Sequence, residues 1–570
     1  MKSSFARTLL AALLGGMLLL AIALVFTISR HRNYQVDEIE HIHSAFNVHQ
    51  GQVLYRDFWE GHNPLLYGVL QPFIDATDPA GTFGSARAMM FIVLLAIVGL
   101  TAFITHRLAG MPAALLASGL LLTHTTFVER AIEIRPDPFL TLATVLVLAL
   151  ELGHLPALRR FVVQAIALSL AFLVTQKTAL VAVATGVIWL SEAWRTRRIS
   201  IVLIPCVAFA IPVILASYWI WASGAWPNYI AYNWVNQAKH VGRGSNLALS
   251  PWPYIVSEGK RNLFFCGVSV FGIGYATIVA VRARLRPNVQ PEEGGANHPV
   301  ARGQHKLPLV LAFAVFLLAT LWINPFPFPY FHVLALPGLA VLAGCSLQWS
   351  MGHWQRLRPW LGSGVALVSL GLALVTSLPR LLDRAIDRNV YQLAFMDQVH
   401  AVTPPDAAVF DLAGLHFRRD PYPVYVMTMT TLKRYRDGAY PRMVPLLREN
   451  QVAAIIRNYR TVSLGPVEAA FIEEHFAPYT HLLLLPGRQI SGLEPNKKQH
   501  FEVLQAREFK FEGTGKLLVD DQEFTRGTLT AGIHVLSTNA PNLSGKLLVD
   551  VPAPTLDDTY LHQLLYPTFD

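Results

Sequence analysis

Cysteine and charge are the two things this sequence has least of: three cysteines in 570 residues, and charged side chains at 15%. Cys206, Cys266 and Cys345 all fall inside apolar runs, so no disulfide framework is implied, and any exported part must be stable without one. So little charge beside 53% hydrophobic residues excludes the ordinary soluble balance and indicates a polytopic membrane protein. The basic excess, a formal net charge of +9, forms no compact stripe or reading helix, which argues against nucleic acid as a partner. The centres of the apolar runs are nearly free of charge. A secondary transporter or flippase should carry ionisable residues there, along with paired broken helices, so that class is disfavoured.

What the chain does have is length for crossing a bilayer. A hydrocarbon core of ~30 Å needs ~20 apolar residues per helix, and about eleven segments are candidates. They are 9–28, 86–104, 112–127, 138–152, 161–174, 179–190, 201–221, 263–281, 307–322, 331–347 and 361–378. The first has basic residues before it and a small-residue site at Ala21-Ile22-Ala23, but its apolar run continues past that site and reads as an uncleaved helix. With the amino terminus inside, the inside loops are basic (Lys2, Arg7, Arg107, Arg159, Arg160, Arg195, Arg197, Arg198, Arg282, Arg284, Arg356) and the outside loops hold most carboxylates. An odd number of spans then places everything after residue 378 outside.

The densest polar cluster follows the first span, in QVDEIEHIHSAF at 35–46. Ile39, Ile42 and Phe46 share one face of a helix, while Asp37 and His41 lie one turn apart with Glu38 beside them. This predicts an amphipathic helix in the membrane interface, its apolar face in lipid and its acids toward a cavity. The next stretch, YRDFWEGHNPLLYGVLQPFI at 55–74, is too short to span and rich in interfacial aromatics.

These residues carry a resemblance. Asp37-Glu38 after the first span, then Tyr55-Arg56-Asp57-Phe58 and His62-Asn63-Pro64-Leu65-Leu66-Tyr67, resemble the first periplasmic loop of bacterial GT-C glycosyltransferases. That group is similar to protein O-mannosyltransferases and the aminoarabinose transferase of lipid A. Arg135-Pro136-Asp137 at the mouth of the fourth span and Pro327-Phe328-Pro329-Tyr330 before a later one match further, over roughly the first 350 residues. The family more often has His-Pro-Pro or His-Gly-Pro where this chain has His62-Asn63-Pro64.

The resemblance implies a bacterial inner-membrane enzyme of GT-C fold with periplasmic interfacial helices. It would pass a sugar from a polyprenyl-phosphate donor to a hydroxyl of a lipid, glycan or protein acceptor, with inversion. A single displacement needs a base for the acceptor proton and cations for the leaving phosphate. Asp37 is implied as the base, with Glu38 positioning it or binding hydroxyls. Arg135, Arg243, Lys239, Lys177 and Arg261 are the phosphate candidates on the outer side, since guanidinium matches phosphate in bidentate fashion. Tyr55, Asp57, His62, Asp137 and His41 are candidates for placing the acceptor or the loop.

Each assignment has a plainer alternative. Asp37 and Glu38 could be solvated interface, Arg135 and Asp137 could pair only with each other, Asp57 and His62 could merely pin the loop, and Lys239 and Arg243 could be a solvated face. No cofactor is certain: His41, His43, His49 and His62 with Asp37 are ordinary ligands for a divalent metal, but Glu38-x-x-His41 occurs once where carboxylate di-metal bundles use two copies, which favours structural or substrate hydrogen bonding. A non-catalytic scaffold with an exported binding domain also stays open.

The domain expectation is a membrane catalytic part at 1–378, including the first periplasmic loop at 29–85, an α/β part at 379–500 and a β-rich end at 501–570. Strands are predicted at 452–457 and 481–485 around a helix at 466–476. The hexapeptide GKLLVD at 515–520 and 545–550 reads as two similar strands of a β-sandwich-like end.

Overall fold

A computed structural model describes residues 2–236, 252–285, 306–323, 329–357, 359–386, 388–495 and 497–558. All eleven apolar segments are helical. Six helices among the described residues are long and apolar enough to cross a membrane, among them Pro79–Ala109, Ala157–Val174, Ser200–Ala222 and Leu263–Leu285. A seventh span arises if Met111–Leu122 and Thr125–Ala131, bent by 73° at their break, count as one. The restart has a local cause: His124 caps the second helix, its Nδ1 accepting from the Phe127 amide at 3.2 Å. The remaining candidates are shorter, such as the 17-residue Pro136–Leu152, or interrupted by polar residues.

The chain forms two compact units. The first comprises residues 1–32, 61–69 and 84–387. Its core is aliphatic, with small residues where helices approach closely: a Cβ on Gly272 would meet the Leu342 carbonyl carbon at 2.6 Å. In lipid such close packing, rather than water exclusion, holds helices together.

The second unit comprises residues 33–60, 70–83 and 388–570. Much of the first loop, expected with the membrane part, therefore belongs to this unit, and the later segment joins it from Arg388 onward. Hydrogen bonds explain the grouping: the Tyr34 amide donates to Gln392 Oε1 at 2.7 Å, and Gln392 Nε2 donates back to the Tyr34 carbonyl at 2.9 Å. Strands β1 (Val409–Phe410), β2 (Ala454–Ile456), β3 (Phe476–Pro478) and β4 (Leu483–Leu493) carry helices that include Asn389–Val402 and Pro466–His475. Next come β5 (Gln499–Val503), β6 (Arg507–Thr514), β7 (Leu517–Val519), β8 (Gln522–Phe524), β9 (Arg526–Leu529), β10 (Gly532–Thr538) and β11 (Leu543–Val549).

One sheet runs β1-β2-β4-β11-β6-β9, with β3 also on β4, and the other runs β5-β10-β7-β8. The α/β part and the β-rich end thus share a sheet, because β4 is long enough to pair with β2 near its start and β11 farther on. A Cβ at Gly487 would collide with the Leu547 carbonyl where β11 joins, so glycine permits the crossing. The two GKLLVD segments supply β7 and β11, one to each sheet, and Leu517 and Leu547 meet in their common core.

His534 on β10 gives this end piece a pH dependence. Its ring nitrogens face Asp520 Oδ2 at 2.6 Å and the Thr530 carbonyl at 2.8 Å. Burial opposes the charged ring, but these two acceptors prevail and raise its pKa above 6.5. The pair's stabilisation is therefore complete below 6.5 and is lost as pH rises through the elevated folded value. Amide exchange along β10 should accelerate at alkaline relative to neutral pH in the wild type, beyond the intrinsic base catalysis, and His534→Ala should remove that excess.

Candidate functional site

The segment after the first span folds as the helix Val36–His49, with Gln35 extended before it. Glu38 is fully buried and accepts the Gln35 amide at 2.9 Å, closing the helix start in capping-box fashion. Asp37, in the first turn, is half-buried. The helix was expected to lay Ile39, Ile42 and Phe46 in lipid; in fact protein covers them. All three are buried, and Phe46 stacks on Phe417 with ring centroids 5.2 Å apart. The polar face is buried as well, including Glu40, His41, His43, Ser44 and Asn47. Its groups find partners within the second unit: Ser44 Oγ donates to Glu60 at 2.6 Å, and the Tyr425 hydroxyl donates to the Glu40 carbonyl at 3.1 Å.

Downstream, Asp57 pins a turn. It accepts the Val53 amide at 2.7 Å and both Nε and Nη2 of Arg56 at 2.8 and 2.9 Å. The Arg56 guanidinium, opposed by slight burial, holds the Asp57 carboxyl below the usual carboxylate range. Between them and the helix, Tyr55 is buried in left-handed conformation at φ 68°, uncommon for a bulky residue.

In the first unit, the stretch before the helix Pro136–Leu152 assembles a charged cluster. Pro136 at the first helical position starts the helix and holds Arg135 extended, at φ −144° and ψ 159°. Asp137 accepts from Lys177 Nζ at 2.7 Å, and Arg135 Nε lies 3.7 Å from its other oxygen. The Arg135 guanidinium stacks on Tyr330 at 3.8 Å from the ring centroid, and Lys177 Nζ lies 4.0 Å from the centroid of Phe331. Two matches far apart in the chain, Arg135-Pro136-Asp137 and Tyr330, are thus brought together.

Glu133, fully buried, accepts from Arg32 at 3.0 Å and Arg130 at 2.7 Å, with Arg135 at 3.8 Å. Arg32 also donates to the Glu129 carbonyl at 2.7 Å, and Arg384 to the Glu129 carboxylate at 2.8 Å. Within the ion pairs of the described residues, five cations (Arg32, Arg130, Arg135, Lys177, Arg384) therefore face three carboxylates (Glu129, Glu133, Asp137), a formal excess of two positive charges. Such a network suits a dianionic group, since guanidinium hydrogen bonds to phosphate are charge-assisted.

Of the residues singled out in the sequence, the network brings together Arg135, Lys177 and Asp137; Arg32, Arg130 and Arg384 join it without having been singled out. The alternating charges of ERAIEIRPD at 129–137, immediately before an apolar run, were the available signal for Arg130. Arg261 ends the helix Trp252–Arg261 and gives its carbonyl to Arg380, while Lys239 and Arg243 lie outside the described residues. His62 is half-buried beside Asn63, which Tyr229 holds through a 3.1 Å hydrogen bond. The sequence also left unread a buried carboxylate, Glu258, which accepts from Thr126 at 2.6 Å, with His124 Nε2 at 3.2 Å.

No protein-family model and no curated protein matches the chain. Among solved structures, apo ArnT from Cupriavidus metallidurans is similar at 14% identity and TM-score 0.55, over 84% of this chain and 98% of that one. The same protein bound to undecaprenyl phosphate aligns at 13% identity and TM-score 0.49, over 93% and 98%. The oligosaccharyltransferase AglB from Archaeoglobus fulgidus, in complex with an inhibitory peptide and a dolichol-phosphate, aligns at 11% identity and TM-score 0.45, over 78% and 69%. The likeness to apo ArnT extends over nearly all of that protein, and this chain shares its fold.

Proposed function

We propose that this protein is a multi-pass membrane glycosyltransferase that moves a monosaccharide from a polyprenyl-phosphate donor to an acceptor hydroxyl, inverting the anomeric centre. The observation that carries the reading is the net-positive cluster around Arg135 and Lys177, on a fold shared with an aminoarabinose transferase. As the glycosidic bond to phosphate breaks, negative charge grows on the departing oxygen, and fixed cations there lower the barrier. Arg135 and Lys177 are assigned to that phosphate, with Lys239, Arg243 and Arg261 from the outer loops as further contributors. Asp37 takes the acceptor proton, and Glu38 holds the helix turn that presents it, as its bond to the Gln35 amide supports.

The reaction is assigned to the periplasmic face of the bacterial inner membrane, on the basic-inside pattern of the loops. Residues beyond 388, on that same side, are assigned to handling the acceptor.

The test is transfer by purified protein in nanodiscs from a panel of radiolabelled polyprenyl-phosphate monosaccharides, with envelope lipid, glycan and protein fractions as acceptors. Label should leave one donor of the panel for an acceptor. Label that stays on every donor, in protein shown to be folded, would overturn the assignment.

A further inference from the structure

A second cluster, within the second unit, has no part in that chemistry. His43, His416 and Asp420 bring two imidazole nitrogens and a carboxylate oxygen within 4.8 Å of one another. His43 and His416 are fully buried, and Asp420 is partly exposed.

The hydrogen bonds set the protonation problem. His43 Nδ1 lies 2.8 Å from the His416 carbonyl, so it must carry a proton and donate. His43 Nε2 then turns its lone pair to Asp420 Oδ2, also at 2.8 Å, where two acceptors face each other unless a cation stands between. A second ring proton would satisfy His43 alone. It would leave His416 Nε2, buried and without a hydrogen-bond partner among the described residues; its nearest carboxylates, Asp411 and Asp420, are 3.8 and 3.9 Å away. One metal ion gives both Nε2 atoms and the carboxylate a common partner.

The surroundings suit a metal. The Nδ1 bond from His43 to a backbone carbonyl is the usual way a ligating imidazole is oriented. Asn47, one turn after His43, donates to Asp420 Oδ2 at 2.8 Å and so fixes the carboxylate. Its own Oδ1 is buried without a partner among the described residues. The loop before His416 is rigid, because Asp411 accepts the amides of Ala413, Gly414 and Leu415, each at 2.7 Å. Gly414 itself, at φ +85°, lets His43 in: a Cβ there would lie 2.7 Å from that of His43.

We propose that His43, His416 and Asp420 bind a divalent transition metal, zinc by preference, which clamps the first-loop helix to the 411–420 loop. Two imidazoles, a carboxylate and water form an ordinary four-coordinate zinc set; binding would widen the 2.8 Å contact of His43 Nε2 with Asp420 and draw His416 Nε2 inward. Binding at His416 Nε2 moves that ring's proton to Nδ1 and dissolves the 3.2 Å bond from the Arg418 amide.

The test uses the full-length protein in detergent, stripped with chelator, exposed to zinc, desalted and analysed by elemental mass spectrometry alongside thermal unfolding. Wild type should retain about one zinc per chain and unfold at higher temperature with it. His416→Ala and Asp420→Asn should lose both effects. Wild type that retains no zinc, or variants that retain as much as wild type, would overturn the proposal. Should the variants not fold, cobalt added to stripped wild type decides: visible bands of a four-coordinate nitrogen and oxygen site are expected, and their absence overturns it.

Discussion

Asp37→Asn is expected to lower sugar transfer by about 10²–10⁴-fold while the protein stays folded, the range that positioned proton transfer contributes. An acceptor hydroxyl becomes a competent nucleophile only as its proton leaves, and a carboxamide cannot take that proton. The substitution conserves size and shape at a half-buried site in the first turn of the Val36–His49 helix. A first-turn carboxylate also interacts favourably with the helix dipole, by about 0.3–1 kcal/mol, so the stability of the variant is measured beside its rate. The loss should therefore appear in kcat with KM nearly unchanged, as for an interaction made in the transition state alone. The measurement is a single-turnover rate at saturating donor, alongside a thermal midpoint for both proteins. A variant that transfers within a few-fold of wild type would remove Asp37 from the chemistry and reopen the scaffold reading.

How far the sequence alone leads differs between elements, for physical reasons. The membrane helices are legible because a bilayer demands a local property, a run of apolar residues of fixed length. The Val36–His49 helix is legible for a similar reason, since the spacing of Ile39, Ile42 and Phe46 is a local period. What covers that helix is not legible: His43 meets Asp420 across 377 positions of chain, and no local pattern encodes such a partner. Hence a helix expected to rest its apolar face in lipid is packed into the second unit. The charged cluster stands between these cases. Asp137 and Arg135 sit in one short motif and are legible as a pair, whereas Arg384 reaches Glu129 across 255 positions and is not. The β-rich end is legible from its repeated GKLLVD strands, yet its continuity with the α/β part depends on β4 exchanging partners along its length, which no local pattern reveals.

Glu133→Gln is expected to destabilise the protein by about 3–5 kcal/mol, the usual result of removing one partner from a buried ionic network. The carboxylate is fully buried, accepts from Arg32 and Arg130, and has Arg135 nearby. Glutamine can still accept a hydrogen bond, but it cannot neutralise the guanidinium groups around it. The formal excess of the cluster rises from two positive charges to three. That excess also makes the variant a probe of what the cluster is for. An anion bound among these cations replaces the missing charge, and a ligand that binds the folded state alone raises its stability by mass action. Polyprenyl phosphate should therefore raise the unfolding temperature of Glu133→Gln by more than that of wild type, with the neutral polyprenol raising neither. If the variant is as stable as wild type, the network does not act by charge balance. If it is unstable and the phosphate lipid lifts both proteins equally, the cations around Glu133 serve the fold alone and the donor phosphate binds elsewhere.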